Sequence, residues 1–129
     1  MINRVGTVSI FVEDQDRAKA FYTEKLGMDC TADNEMWPGA DARWLCVAPP
    51  GAETQIVLYK FDENWEHYRE TFGKSQSLTL QCEDIDETYR VYKERGVQFL
   101  GEPETQFWGR FVMMVDSEEN TLILVQVAH

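Results

Sequence analysis

Thr7–Gly27, TVSIFVEDQDRAKAFYTEKLG, and Ser77–Gly96, SLTLQCEDIDETYRVYKERG, are two versions of one segment. Shifting the first forward by 70 positions lays Glu13-Asp14 on Glu83-Asp84, Asp16 on Asp86 and Tyr22 on Tyr92, with one residue lost before the closing glycine. A repeat of this kind means two similar modules stacked along the chain. The first copy opens by alternating, with Val8, Ile10 and Val12 on one side and Thr7, Ser9 and Phe11 on the other, the period of a strand. It then shifts to helical period. Asp14 or Asp16 is placed to cap the free N–H groups of the first turn, Ala18, Phe21, Tyr22 and Leu26 form the apolar stripe, and Gly27 ends it. The second copy has the same parts: Asp84 with Glu87 as a capping box, Ile85, Tyr89 and Tyr92 as the stripe, and Gly96 as the stop.

The flanking residues complete each module. Met28–Asn34 reads as a weak strand, Glu35–Asp41 (EMWPGAD) as a loop, and Ala42–Ala48 and Thr54–Lys60 as a hairpin around Pro49-Pro50-Gly51. After the second helix, Val97–Gly101, Phe111–Val115 and Thr121–Val127 read as strands, Glu102–Trp108 as a loop and Asp116–Asn120 as a polar turn. Between the modules, Phe61–Lys74 predicts a short charged helix closed by Gly73, with Trp65, Tyr68 and Phe72 on one face. The expected fold is α+β: one domain, 1–129, of two strand–helix–three-strand modules at about 1–61 and 75–129, joined by a connector at 62–74.

Composition narrows the function. A chain of 129 residues with 43% hydrophobic and 27% charged residues builds one core without disulfides. Its 23 acidic against 12 basic residues give a net charge of −11, a field that repels phosphate backbones and anionic membranes, so no nucleic-acid partner is expected. Cys30, Cys46 and Cys82 are odd in number and strand-like in context, which suits free thiols in a reducing compartment. No membrane span and no signal segment is read, and the expectation is a cytoplasmic protein.

Two stretches resemble a known family. Val12–Gly27 follows V-x-D-x-x-x-A-x-x-F-Y-x-x-x-L-G, and Trp108–Gln126, WGRFVMMVDSEENTLILVQ, is similar to W-G-x-x-x-x-x-x-D-P-x-G-N-x-x-E-L. These are the opening and closing signatures of the vicinal oxygen chelate superfamily, which holds glyoxalase I, extradiol dioxygenases, and bleomycin and fosfomycin resistance proteins. The resemblance implies paired βαβββ modules, each a curved mixed sheet, closing around a cavity. It also implies a divalent metal held by His, Glu or Gln at four strand positions. Here those positions fall on Thr7, Val57, Ser77 and Ile123. Hydroxyls are weak neutral donors and branched alkyl groups have no donor atom. A slip of two residues replaces Val57 by Gln55, yet one amide does not hold an ion. The only histidines are His67, read as a solvated residue of the connector rather than a general base, and His129. No metal or other cofactor is therefore expected.

What the resemblance leaves is a cavity lined by Thr7, Ser9, Phe11, Val57, Tyr59, Ser77, Thr79 and Ile123, with Trp37, Trp44, Phe107 and Trp108 nearby. Such a pocket suits a small, partly aromatic ligand. Trp37 and Trp108, beside loop glycines, read as ligand contacts; Trp44 is balanced toward a place in the core. Arg43 and Arg110 are the basic groups near these strands; Arg110 is a candidate to grip a ligand carboxylate, against the plainer alternative of an ion pair with Glu102 or Glu104. Cys46 faces the cavity in this reading, with nothing in sequence to activate it. The expected function is metal-free binding of an aromatic or hydrophobic small molecule, acting by sequestration, in a homodimer. This leans away from an enzyme; the alternative is a lyase, isomerase or dioxygenase-like activity using displaced ligands or acid–base groups. A third possibility is a partner-binding module that uses the Trp65, Tyr68 and Phe72 face.

Overall fold

The structure, a computed structural model, describes residues 1–60 and 78–127. The connector helix with Trp65, Tyr68 and Phe72, His67, Ser77 and His129 lie outside the described residues. The chain forms two compact units, Met1–Ser75 and Gln76–His129.

In the first unit, β1 (Thr7–Val12) leads into α1 (Gln15–Ala20), which widens into a π turn at Phe21–Lys25. Then follow β2 (Asp29–Glu35), β3 (Arg43–Ala48) and β4 (Gln55–Lys60). Asp14, not Asp16, is the cap: its side chain accepts from the Arg17 N–H at 3.0 Å. Gly27 closes the segment at φ +76°, a conformation that costs a residue with a Cβ. The four strands lie in the order β1-β4-β3-β2, with β1 parallel to β4 and the rest antiparallel. Val8, Ile10, Val12, Ile56, Leu58, Leu45 and Val47 share the face that takes the helix, where Ala18, Phe21, Tyr22 and Leu26 are all buried as their spacing predicts.

That helix is fixed by a residue whose role is invisible in sequence. Gln15 is 5% exposed. Its amide nitrogen donates to the carbonyls of Arg43 (2.8 Å) and Leu58 (2.9 Å), and its oxygen accepts from the Arg43 N–H (3.0 Å). The direct β3–β4 pairing covers Cys46 opposite Val57 and Val47 opposite Ile56; beyond it, the Gln15 amide spans the two strands. Around it, Arg43 bridges Asp16 and Asp33, each at 2.8 Å, and Lys19 reaches Asp33 at 2.9 Å. The Lys19 hydrogen bond holds the Asp33 carboxyl below its ordinary value; partial burial works against this and Arg43 adds to it.

The second unit runs β5 (Leu78–Gln81), α2 (Ile85–Glu94), β6 (Gln98–Phe99), β7 (Glu104–Gln106), β8 (Gly109–Val115) and β9 (Thr121–Val127). The order is β5-β9-β8-β6, with β5 parallel to β9 and β7 pairing with β8. Two expectations need correction. The loop expected over Glu102–Trp108 contains β7, and the strand expected over Val97–Gly101 shortens to Gln98–Phe99. Asp84 caps α2 by accepting from the Glu87 N–H, but the Glu87 carboxylate turns outward to Arg90, so only half of the capping box forms.

The turn between β8 and β9 is built on a buried carboxylate. Asp116 Oδ1 accepts from the Glu118 and Asn120 N–H groups, both at 2.8 Å, and Oδ2 accepts from the Asn120 amide at 3.0 Å. Glu119, where the resembling motif has glycine, sits at φ +66°, the one non-glycine residue of positive φ among those described.

Gln15→Met leaves two carbonyls and one N–H without their partner under a helix, and should cost about 2–4 kcal/mol of stability in urea melts. Glu119→Gly should gain about 0.5–1 kcal/mol, the left-handed strain relieved less the added chain entropy, seen as a raised melting temperature. Asp33 carries a lowered folded pKa, so its contribution is complete above the ordinary carboxylate value of 3.8 and is lost as pH falls through the folded value. Asp33→Asn should therefore destabilise by up to about 1 kcal/mol at pH 7, with the gap to wild type closing in acid melts below about pH 4.

Candidate functional site

Because strand side chains alternate, each helix-covered sheet has a second face. In the first unit it carries Thr7, Ser9 and Phe11 of β1, opposite Gln55, Val57 and Tyr59 of β4, then Cys46 opposite Val57 and Trp44 two residues along β3. The middle is closed: Val57 and Cys46 are each 1% exposed. The ends are accessible. Thr7 is exposed at one end, Ser9 is exposed on β1 beside Val57, and Trp44, 39% exposed, stands at the other end. Phe11 and Tyr59 pack edge to face beside that end, centroids 6.0 Å apart at 71°. Trp44 thus takes a place on the open face, where its sequence context leaned toward the core. Trp37 is 62% exposed in the β2–β3 loop.

Burial raises the Cys46 thiol pKa, so it stays protonated and is no nucleophile near neutral pH. Thr7 stands opposite Gln55 rather than Val57, and the Gln55 side-chain oxygen Oε1 accepts from the Thr31 hydroxyl at 2.7 Å. Thr7 thus offers a neutral hydroxyl and Gln55 an engaged amide, while Val57 and Ile123 carry no donor atom. Among the described residues, no three His, Cys, Asp or Glu side chains converge as a metal would require.

In the second unit the open face carries Thr79 opposite Ile123, Ile123 opposite Met113, and Phe111 opposite both Val125 and Glu104. Trp108 lies in the β7–β8 turn and packs against Phe111, centroids 5.6 Å apart at 32°. Phe107, beside it, is 96% exposed. Arg110 corrects an expectation. It alternates onto the helix-covered face, opposite Gln126, and pairs with Asp86 of α2 rather than with Glu102 or Glu104. It therefore does not line the open face. Arg43 is likewise on the helix side, held by Asp16 and Asp33.

Sequence reasoning missed Met113, Phe111 and Leu100, which with Gly101, Glu102, Glu104 and Val112 line a pocket of about 280 Å³ in the second unit. The signal was present: in RFVMMV, placing Arg110 on the helix side forces Phe111 and Met113 onto the other. A second hollow of about 260 Å³, in the first unit, is bounded by Glu13, Asp14, Gln15, Asp16, Asp41, Arg43 and Lys60. It is the ion-paired margin of α1, with Arg43 on Asp16 and Lys60 on Asp41.

Among the described residues, no helix is long and apolar enough to cross a membrane. The chain is 44% identical over 124 residues to the protein YetH of Bacillus subtilis (strain 168), covering 96% of this chain and 98% of that one. Among solved structures it is similar to TnmS3, an antibiotic binding protein from Streptomyces sp. CB03234, at 37% identity, 98% coverage of both chains and a TM-score of 0.82. It is also similar to a member of the glyoxalase/bleomycin resistance protein/dioxygenase superfamily from Sphaerobacter thermophilus DSM 20745, at 35% identity, 97% and 98% coverage and a TM-score of 0.85. The family model described as Glyoxalase/Bleomycin resistance protein/Dioxygenase superfamily matches residues 4–124, and the chain belongs to that superfamily.

Proposed function

We propose that this protein binds a flat aromatic or hydrophobic small molecule without a metal and acts by holding it. The observation that carries the proposal is the end of the first open face, where Trp44 stands 39% exposed beside the Phe11–Tyr59 pair. An accessible indole next to packed rings offers a stacking surface, and each stacked ring pair adds roughly 0.5–1.5 kcal/mol beyond the area it buries. Away from that end the same face supplies hydroxyls (Thr7, Ser9), and its described residues include no activated thiol and no metal donor set, which suits binding rather than transformation. Similarity to an antibiotic binding protein at 37% identity over nearly the whole chain supports the same reading. The protein works in the cytoplasm as a homodimer in this proposal.

Titration with a panel of planar aromatic compounds should quench intrinsic tryptophan fluorescence and raise the melting temperature for at least one compound. Trp44→Ala should weaken that compound roughly tenfold or more, as loss of a central aromatic anchor does. A flat response to every compound, in both fluorescence and melting, overturns the proposal. Protein purified without chelator should carry no stoichiometric divalent ion by elemental analysis and should sediment as two chains; a bound ion at one per chain would transfer the case to a metalloenzyme.

A further inference from the structure

The pocket of about 280 Å³ in the second unit has an apolar floor and an acidic margin. Phe111, Met113 and Leu100 supply the floor; Met113 is 39% and Leu100 56% exposed, so both present surface to an occupant. The chain is led around it by two features. The Leu100 N–H donates to the Met113 carbonyl at 2.9 Å, tying the segment after β6 to β8, and Gly101 then turns at φ +152°. A Cβ at Gly101 would meet nothing within 4 Å, so this side of the pocket is open. Glu102 follows, and Glu104 stands directly opposite Phe111 in the β7–β8 ladder, which sets a carboxylate beside a ring.

Among the described residues, these two carboxylates are the only charged groups that line the pocket. The nearest cation in sequence, Arg110, is turned to the other face and spent on Asp86. Among the described residues, no ion pair forms at Glu102 or Glu104, while Glu87, Asp33, Asp41 and Asp86 all have one. Met113 and the Phe111 ring are polarizable partners for a flat cation, and Trp108 packs against the Phe111 ring. In a chain of net charge −11, long-range attraction acts in the same sense.

We infer that this pocket selects the charge of the ligand: it takes a flat organic cation, an aromatic or hydrophobic body bearing a protonated nitrogen, with the charge against Glu102 and Glu104 and the body against Phe111 and Met113. The inference rests on the reading above only in taking the protein for a binder of aromatic small molecules; the pocket itself lies in the second unit and the Trp44 face in the first.

Equilibrium dialysis with three tricyclic probes of similar size tests it: proflavine (cationic), acridone (neutral) and anthraquinone-2-sulfonate (anionic). Proflavine should bind about tenfold more tightly than acridone at low salt, the sulfonate should be weakest, and the gap should narrow as salt rises. Glu102→Gln with Glu104→Gln should remove most of the proflavine advantage and leave acridone unchanged. A control with Glu24→Gln and Glu53→Gln makes the same change of net charge away from the pocket and should leave proflavine nearly unaffected. Equal binding of proflavine and acridone overturns the charge inference and leaves the aromatic-binding reading standing. An equal loss in the control pair also overturns it, since net charge and not the pocket would then be responsible. Binding of none of the three probes, nor of any aromatic in the fluorescence panel, overturns both.

Discussion

One buried amide holds the first unit to its shape. Gln15 places an amide nitrogen and an amide oxygen where the β3–β4 pairing ends, and together they make three hydrogen bonds to the backbone of those strands. An unpaired buried carbonyl or N–H costs more than a typical bond gains, so the amide does more than add contacts. It fixes the height and direction of α1 over the sheet. With α1 fixed, Val8, Ile10 and Val12 have to face the helix, and Ser9 and Phe11 have to face away. The arrangement of the candidate site on the far side follows from the helix contact on the near side.

The repeat makes this visible by contrast. Seventy positions on, the residue matching Gln15 is Ile85, fully buried and apolar. There the polar link runs the opposite way: the Gln126 side-chain oxygen on β9 accepts from the Ile85 N–H at 2.8 Å. A second link is preserved in form. Asp16 pairs with Arg43 in the first unit and Asp86 with Arg110 in the second, a carboxylate in the first turn of the helix gripping a guanidinium on the sheet. Both arginines are thereby committed to structure. An arginine on a strand next to a supposed cavity reads as a ligand grip only while its partner is unknown.

How much was legible follows from which interactions are periodic. Hydrophobic alternation and the repeat gave the strands, the helices and their buried stripes, because burial acts on every second or every third to fourth residue and leaves a pattern. Gln15 left none: in EDQDR it looks like solvent-facing helix start, and only the carbonyls of Arg43 and Leu58, 28 and 43 residues away, reveal its task. β7 was lost for a related reason. Three exposed polar residues carry no alternation, and the strand exists only because β8 offers a ladder to it. On the site, Thr7, Ser9, Phe11 and Tyr59 share one face, as alternation predicted, but alternation cannot tell that Val57 between them is covered or that Trp44 is not.

The division of labour between the two faces argues for what the molecule does. On the helix side, the polar groups that reach the interior are matched: Gln15 to backbone, Arg43 to Asp16 and Asp33, Arg110 to Asp86. On the other side, large side chains are left with accessible surface, Trp44 and Met113 each at 39% and Leu100 at 56%. A fold that needed these groups for stability would have covered them, since burying such a side chain is worth about 1.5–3 kcal/mol. Accessible aromatic and sulfur-bearing surface is what a binding protein keeps available for a ligand. In the proposed reading, the energy that these open faces can supply goes into association with a ligand.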